Sequence, residues 1–180
     1  MTALDFIGIY DPLSRLKSMK IMPDFEWRIC ACTPEVVDDR GLRVAADSVN
    51  EPLAGYDLLV VPGGYGTRNL INDSGFMEWL KTSTACPLKV SVCTGSLLLG
   101  AAGFLRNKRA TTHPNSFHEL EPYCETVLDQ RIVDEGDIIT ARGVTSGIDL
   151  GLYLVEKLAG AAACEHVAAQ MDYPYRWKES

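Results

Sequence analysis

The chain has 180 residues, 47% hydrophobic and 23% charged, which supports a sizeable core in one domain spanning residues 1–180 and excludes a disordered chain. A formal net charge of -7 with no long basic run argues against nucleic acid as a partner. No stretch is long and apolar enough to cross a bilayer. Met1-Thr2-Ala3-Leu4-Asp5 lacks the basic, apolar, small-residue order of an export signal, so the six cysteines read as reduced thiols in a cytoplasm. With three histidines and no zinc-type spacing, neither a metal nor another cofactor is expected.

Taken in chain order, Asp5 to Met19 carries Phe6, Ile9, Leu13 and Leu16 at helical spacing, with Pro12 expected to kink or interrupt it. Phe25 to Thr33, rich in aromatic and β-branched residues, reads as a strand, and Gly41 to Asp47 as a short strand or hairpin arm. Tyr56 to Val61 is a buried strand ending in Pro62-Gly63-Gly64-Tyr65-Gly66, a loop suited to close backbone approach. Ser74 to Thr82 reads as a helix capped by Ser74. Leu88 to Val92 is a strand and Leu97 to Leu105 a helix, followed by a short strand, Arg109 to Thr112, and a short helix, Ser116 to Pro122.

Arg131 to Val133 and Ile138 to Ala141 flank a glycine turn and form a hairpin. Thr145 to Leu158 and Ala161 to Met171 are helices separated by Gly160. The tail, Tyr173 to Ser180, is expected to fray or to dock at an interface. Strands alternating with helices predict an open, mostly parallel sheet covered on both faces, whose functional site lies at the carboxyl ends of the strands.

Cys93 stands at such an end. A strand that stops on a cysteine and turns at once into a helix sets the sulfur at the helix N-terminus, where unpaired N–H groups favour the thiolate. The same strand–elbow–helix arrangement presents the serine of many hydrolases. A lowered thiol pKa and partial exposure are expected. The N–H groups of Gly63, Gly64 and Thr94 are candidates to stabilise negative charge beside it, and the loop is equally compatible with a plain tight turn. The Thr94 hydroxyl either holds the thiolate or caps the helix. Asp5 is either a helix cap or an acid at the site. His113 is a candidate for pairing with the cysteine or binding substrate, and Asp149, early in its helix, reads as structural.

The run Val90-Ser-Val-Cys-Thr-Gly-Ser-Leu-Leu-Leu-Gly-Ala-Ala-Gly-Phe-Leu105, with Arg109-Ala-Thr-Thr-His113, resembles the DJ-1/PfpI superfamily, and within it the isocyanide hydratase branch and the sensor domains of AraC-type regulators. Leu4-Asp5, the Val61-Pro-Gly-Gly64 loop and Gly143-Val-Thr-Ser-Gly-Ile-Asp149 extend the likeness over most of the chain. The resemblance implies a flavodoxin-like α/β fold, usually a homodimer, with Cys93 as nucleophile and Asp5 as the carboxylate facing it. Thr94 matches the hydratases, whereas PfpI-type proteases carry histidine there and many DJ-1-type members use glutamate in the acid's role. Pro114 departs from the aromatic residue usual at that point.

The implied function is addition of water to an isocyanide to give an N-formamide, on a small-molecule substrate and without a cofactor. The alternatives are a cysteine-based sensor of small molecules or oxidative stress and a glyoxalase- or amidase-like hydrolase. A DNA-binding regulator would carry a helix-turn-helix module beyond Ser180. The resemblance also implies an inner strand ahead of Leu4, where three residues stand, so the expectation is that Met1 is an internal start or that a partner's segment fills the gap.

Overall fold

The computed structural model describes residues 1–174; most of the tail expected to fray or dock therefore lies outside the described residues. Helix α1 (Ala3–Ser18) opens the chain, followed by short strands β1 (Cys30–Ala31), β2 (Glu35–Val37), β3 (Arg43–Ala45) and β4 (Ser48–Val49). Then come β5 (Leu58–Val61), α2 (Thr67–Leu70), α3 (Ser74–Lys81), β6 (Leu88–Val92), α4 (Gly95–Ala101) and β7 (Arg109–Ala110). The chain continues through α5 (Phe117–Leu120), β8 (Thr126–Val127), β9 (Ile132–Asp134), β10 (Ile138–Ala141), α6 (Ser146–Ala159) and α7 (Ala161–Gln170).

The central sheet has the order β5-β6-β10-β9. Its first three strands are parallel and β9 closes one edge antiparallel, as half of the hairpin read from the sequence. Strands β1 and β4 form a separate parallel pair, β2 and β3 an antiparallel hairpin, and β7 and β8 a parallel pair. The inner strand implied ahead of Asp5 is not among the described residues.

Alternating side chains of the sheet enter two cores. Val90, Val92, Ile139 and Ala141 pack under α1, α6 and α7 through Ile9, Leu13, Leu16, Leu150, Leu154 and Val167. Val61 and Ile138 pack on the opposite face with Met77, Leu80, Leu97, Leu99 and Leu120. Each valine, leucine or isoleucine among these contributes about 1.5–3 kcal/mol on burial, so helices on both faces are the stable arrangement for strands this apolar. The fold is flavodoxin-like α/β.

Helix α1 runs unbroken through Pro12, against the expected interruption. The helix is held by packing: α1 lies so close to α6 that a Cβ at Gly151 would stand 2.8 Å from the Pro12 ring. The first turn of α1, with Asp5, lies against the start of α6, where a Cβ at Gly147 would stand 3.4 Å from the Leu4 carbonyl oxygen and 3.6 Å from that of Asp5.

Three expected elements differ. The strand over Phe25 to Thr33 shrinks to Cys30–Ala31, because Phe25 and Trp27 stack with each other and Trp27 packs edge-on against Tyr10 of α1 instead of lining a ladder. The cap of α3 is Asp73, whose carboxylate accepts the Phe76 N–H at 3.0 Å, and Ser74 is the first helical residue. Helix α4 begins two residues before Leu97 and ends at Ala101, short of Leu105, where Gly103 takes a left-handed turn at φ +88°.

Candidate active site

Strand β6 delivers Cys93 into a left-handed backbone conformation, φ +56°, which side-chain-bearing residues adopt only when their surroundings hold them there. The surroundings do so. The Cys93 N–H donates to the carbonyls of Ala141 (3.0 Å), the last residue of β10, and Arg142 (3.3 Å), just past it. Its carbonyl accepts the hydroxyls of Thr112 (2.9 Å) and Ser96 (3.1 Å). Gly95 is required next, since a Cβ there would stand 2.1 Å from the Val61 carbonyl oxygen.

Asp5 lies in the first turn of α1, fully buried. It does not cap the helix: Thr2 holds the cap position, and the Asp5 N–H donates to the Thr2 carbonyl at 3.1 Å. Neither carboxyl oxygen completes a well-formed hydrogen bond. The polar groups facing it are the Cys93 thiol and the Gly63 N–H. Gly63 fills the space between acid and elbow, where a Cβ would stand 2.9 Å from Asp5 Oδ2, 2.9 Å from Cys93 Cβ and 2.6 Å from the Thr94 nitrogen.

Burial raises the Asp5 pKa to about 6, against the smaller pull of the thiol and the Gly63 N–H. Burial also pushes the Cys93 thiol up, to about 12, and the adjacent Asp5 charge pushes the same way against the Thr94 N–H and hydroxyl. The expected low-pKa, partly exposed cysteine is therefore corrected. Cys93 is 6% exposed, and a seven-residue helix start does not offset desolvation plus a neighbouring carboxylate. Two surface cavities of about 420 and 330 Å³ lie elsewhere, lined by residues between 100 and 125 and between 71 and 101.

The other candidates surround this pair. Thr94 Oγ1 accepts the Gly64 N–H and donates to the Gly64 carbonyl, both at 3.0 Å. The Gly64 N–H, expected to face the site, is thus taken up by Thr94, which leaves the N–H groups of Gly63 and Thr94 beside the reacting groups. His113 turns its Nδ1 to the Asn115 N–H (3.2 Å), so the neutral ring carries its proton on Nε2. A Cβ at Gly143 would stand 2.7 Å from Cys93 Sγ and 3.0 Å from His113 Cδ2, so the sulfur and the imidazole edge both approach the same face of that glycine.

Gly143 and Thr112 escaped the sequence reading as site residues. One acts by what it lacks and the other by a bond to a backbone carbonyl, and neither leaves a spacing signal. Arg68 was missed as well: it pairs through two nitrogens with Glu119 and with the Ser116 hydroxyl (3.0 Å), within electrostatic reach of Cys93. Asp149 is a buried structural acid, held by Arg131 and by the Tyr173 hydroxyl at 2.6 Å. Among the described residues, no helix is long and apolar enough to cross a membrane.

Comparison with known proteins bears on the family and the fold. The chain is 35% identical over 172 residues to the isonitrile hydratase of Pseudomonas putida, covering 94% of this chain and 73% of that protein. It is 31% identical over 150 residues to protein DJ-1alpha of Drosophila melanogaster, covering 82% and 66% of the two chains. Among solved structures, a THiJ/PfpI family protein from Pseudomonas syringae superposes with a TM-score of 0.88 at 27% identity, over 98% of this chain and 72% of that one. The DJ-1/PfpI family pattern matches residues 5–157, from the buried acid of α1 to the last turn of α6, and the chain belongs to the DJ-1/PfpI family.

Proposed function

We propose that this protein is an isocyanide hydratase-like enzyme, with Cys93 as nucleophile and Asp5 as the proton carrier. The observation that carries the reading is the buried Asp5 carboxyl, without a well-formed hydrogen bond, facing the Cys93 thiol. Near neutral pH, with pKa values of about 6 and about 12, the pair rests as carboxylate and thiol and holds one transferable proton. An isocyanide, R–N≡C, needs a nucleophile and a proton at the same carbon, and one S–H group beside one carboxylate supplies both.

The Asp5 carboxylate takes the thiol proton as the sulfur electron pair forms a bond to the isocyanide carbon. Asp5 returns the proton to that carbon, giving the thioimidate R–N=CH–S–Cys93. Water then adds to this carbon, Asp5 accepting one of its protons while the nitrogen gains one. The tetrahedral adduct expels the sulfur, which recovers its proton, and R–NH–CHO leaves. The sum is one isocyanide and one water converted to one formamide. The N–H groups of Gly63 and Thr94 are the candidates to stabilise charge during these steps. The His113 Nε2–H is the candidate donor to a polar group on the substrate.

The test is formamide formation from an aryl isocyanide by the reduced protein, with Cys93→Ala as the control. Turnover lost in the variant supports the reading, and no turnover in the native protein overturns it. A relative 30% identical over 122 residues is the glutathione-independent glyoxalase DJ-1 of Schizosaccharomyces pombe, which keeps a glyoxalase-like reading as the alternative if isocyanide is not turned over. An oxidation sensor fits the site less well, because sensor cysteines are exposed and thiolate-rich.

A further inference from the structure

We propose that Thr112 is a positioning residue for Cys93: its hydroxyl holds the Cys93 carbonyl and so fixes the left-handed elbow that aims the sulfur at Asp5. A left-handed residue with a side chain is strained relative to ordinary backbone, so the elbow keeps its shape only while its peptide groups are pinned. On the N–H side the pins are the Ala141 and Arg142 carbonyls. On the carbonyl side there are two hydroxyls. Ser96 belongs to the turn itself, three residues on, and moves with it. Thr112 is 19 residues away, arrives from beyond β7, and is fully buried.

Thr112 is therefore the bond that refers the carbonyl side of the elbow to the rest of the fold. Its own position is fixed in turn. The N–H of the preceding residue, Thr111, donates to Thr140 Oγ1 at 2.9 Å, and Thr140 lies on β10 beside Ala141, whose carbonyl holds the Cys93 N–H. The pins form a closed circuit: β10, Thr111, Thr112, Cys93, and β10 again. The next residue along is His113, so the same bond sets the imidazole edge relative to the sulfur. The inference depends on Cys93 being the reacting atom and not on which substrate it meets.

The experiment compares Thr112→Val, which keeps shape and removes the hydroxyl, with Thr112→Ser, which keeps the hydroxyl. The Cys93 carbonyl stays bonded to Ser96 in both, and Thr112→Ala serves if the valine variant does not fold. Carbamidomethylation of Cys93 by iodoacetamide is followed on its peptide by mass spectrometry across a pH series, with formamide turnover and melting temperature in parallel.

The expected result is a displaced Cys93 alkylation profile in Thr112→Val. Its kcat falls roughly 10- to 100-fold with KM changed less than about threefold, the scale of a small misplacement of a reacting group. Thr112→Ser restores the native values. An alkylation profile in the valine or alanine variant within about twofold of native at every pH, or a serine variant that behaves like valine, overturns the proposal. Because alkylation needs no substrate, a protein that fails to hydrate isocyanides still tests the role of Thr112.

Discussion

The Asp5 carboxyl faces the Cys93 thiol with no well-formed hydrogen bond to either of its oxygens, and burial lifts both groups, the acid to about 6 and the thiol to about 12. Between those values the pair has one stable protonation state, so a reaction that begins with transfer from sulfur to carboxylate has a wide working range.

The first prediction is the shape of the pH–rate profile. The carboxylate must be ionised to accept the thiol proton. Turnover is therefore expected to rise with an apparent midpoint near pH 6 and to stay level into the alkaline range, because the thiol does not ionise until about 12. Steady-state kcat/KM across pH 5 to 10 checks this. A midpoint near pH 8 to 9 would show instead that the free thiolate governs the rate.

Asp5→Asn should abolish turnover and stabilise the protein. The folded pKa of about 6 stands above the ordinary value of 3.8, so folding favours the protonated acid. That contribution is complete below the unfolded pKa and is lost as pH rises through about 6. At pH 7.5 the ionised, buried carboxylate costs about 3 kcal/mol. The asparagine variant is expected to be more stable by an amount of that order at pH 7.5, with the difference shrinking towards zero near pH 4. Urea titrations at the two pH values measure it. A variant equally or less stable at pH 7.5 would mean that Asp5 is better solvated than its burial indicates.

Gly95→Ala should be severely destabilising. The added methyl would stand 2.1 Å from the Val61 carbonyl oxygen, a backbone atom at the end of β5 that cannot swing aside. A loss above about 4 kcal/mol or failure to fold is expected, as for the few substitutions that force backbone apart. Expression with a near-native melting temperature would show that the elbow has slack.

Arg131→Ala should cost roughly 2–4 kcal/mol. The side chain of Asp149 is 2% exposed and loses its cation, whereas Arg131 is about one-third exposed, which softens the effect. Tyr173 still donates to the acid, and the double variant with Asp149→Asn should recover part of the loss. Denaturant unfolding of both single variants and the double variant measures the coupling.

The parts of this molecule readable from its sequence are those with local causes. The β9–β10 hairpin announced itself by its glycine turn, α6 by its apolar face and terminal Gly160, and the elbow by an apolar run ending on Cys93. Phe25 and Trp27 misled because strand-forming side chains can equally stack on a helix, as they do beside Tyr10. The cap of α3 moved by one residue because Asp73 and Ser74 are both good caps. The direction of the Cys93 pKa was not legible, since a helix start is visible in sequence but the depth of burial and the nearness of an acid 88 positions away are tertiary facts. Family resemblance supplied that acid; periodicity alone left Asp5 divided between cap and catalyst.

Thr94 binds both backbone polar groups of Gly64 with one hydroxyl. The last paired residues of β5 and β6 are Val61 and Ser91, so Gly64 and Thr94 each stand three positions further along the same register. A side chain thus acts as one more rung where the two backbones have parted. A rung of this kind opens only when the glycine loop and the elbow separate. Solvent exchange of the Gly64 amide hydrogen is consequently a substrate-free clock for how often the nucleophile's turn comes apart, readable at a single NMR resonance.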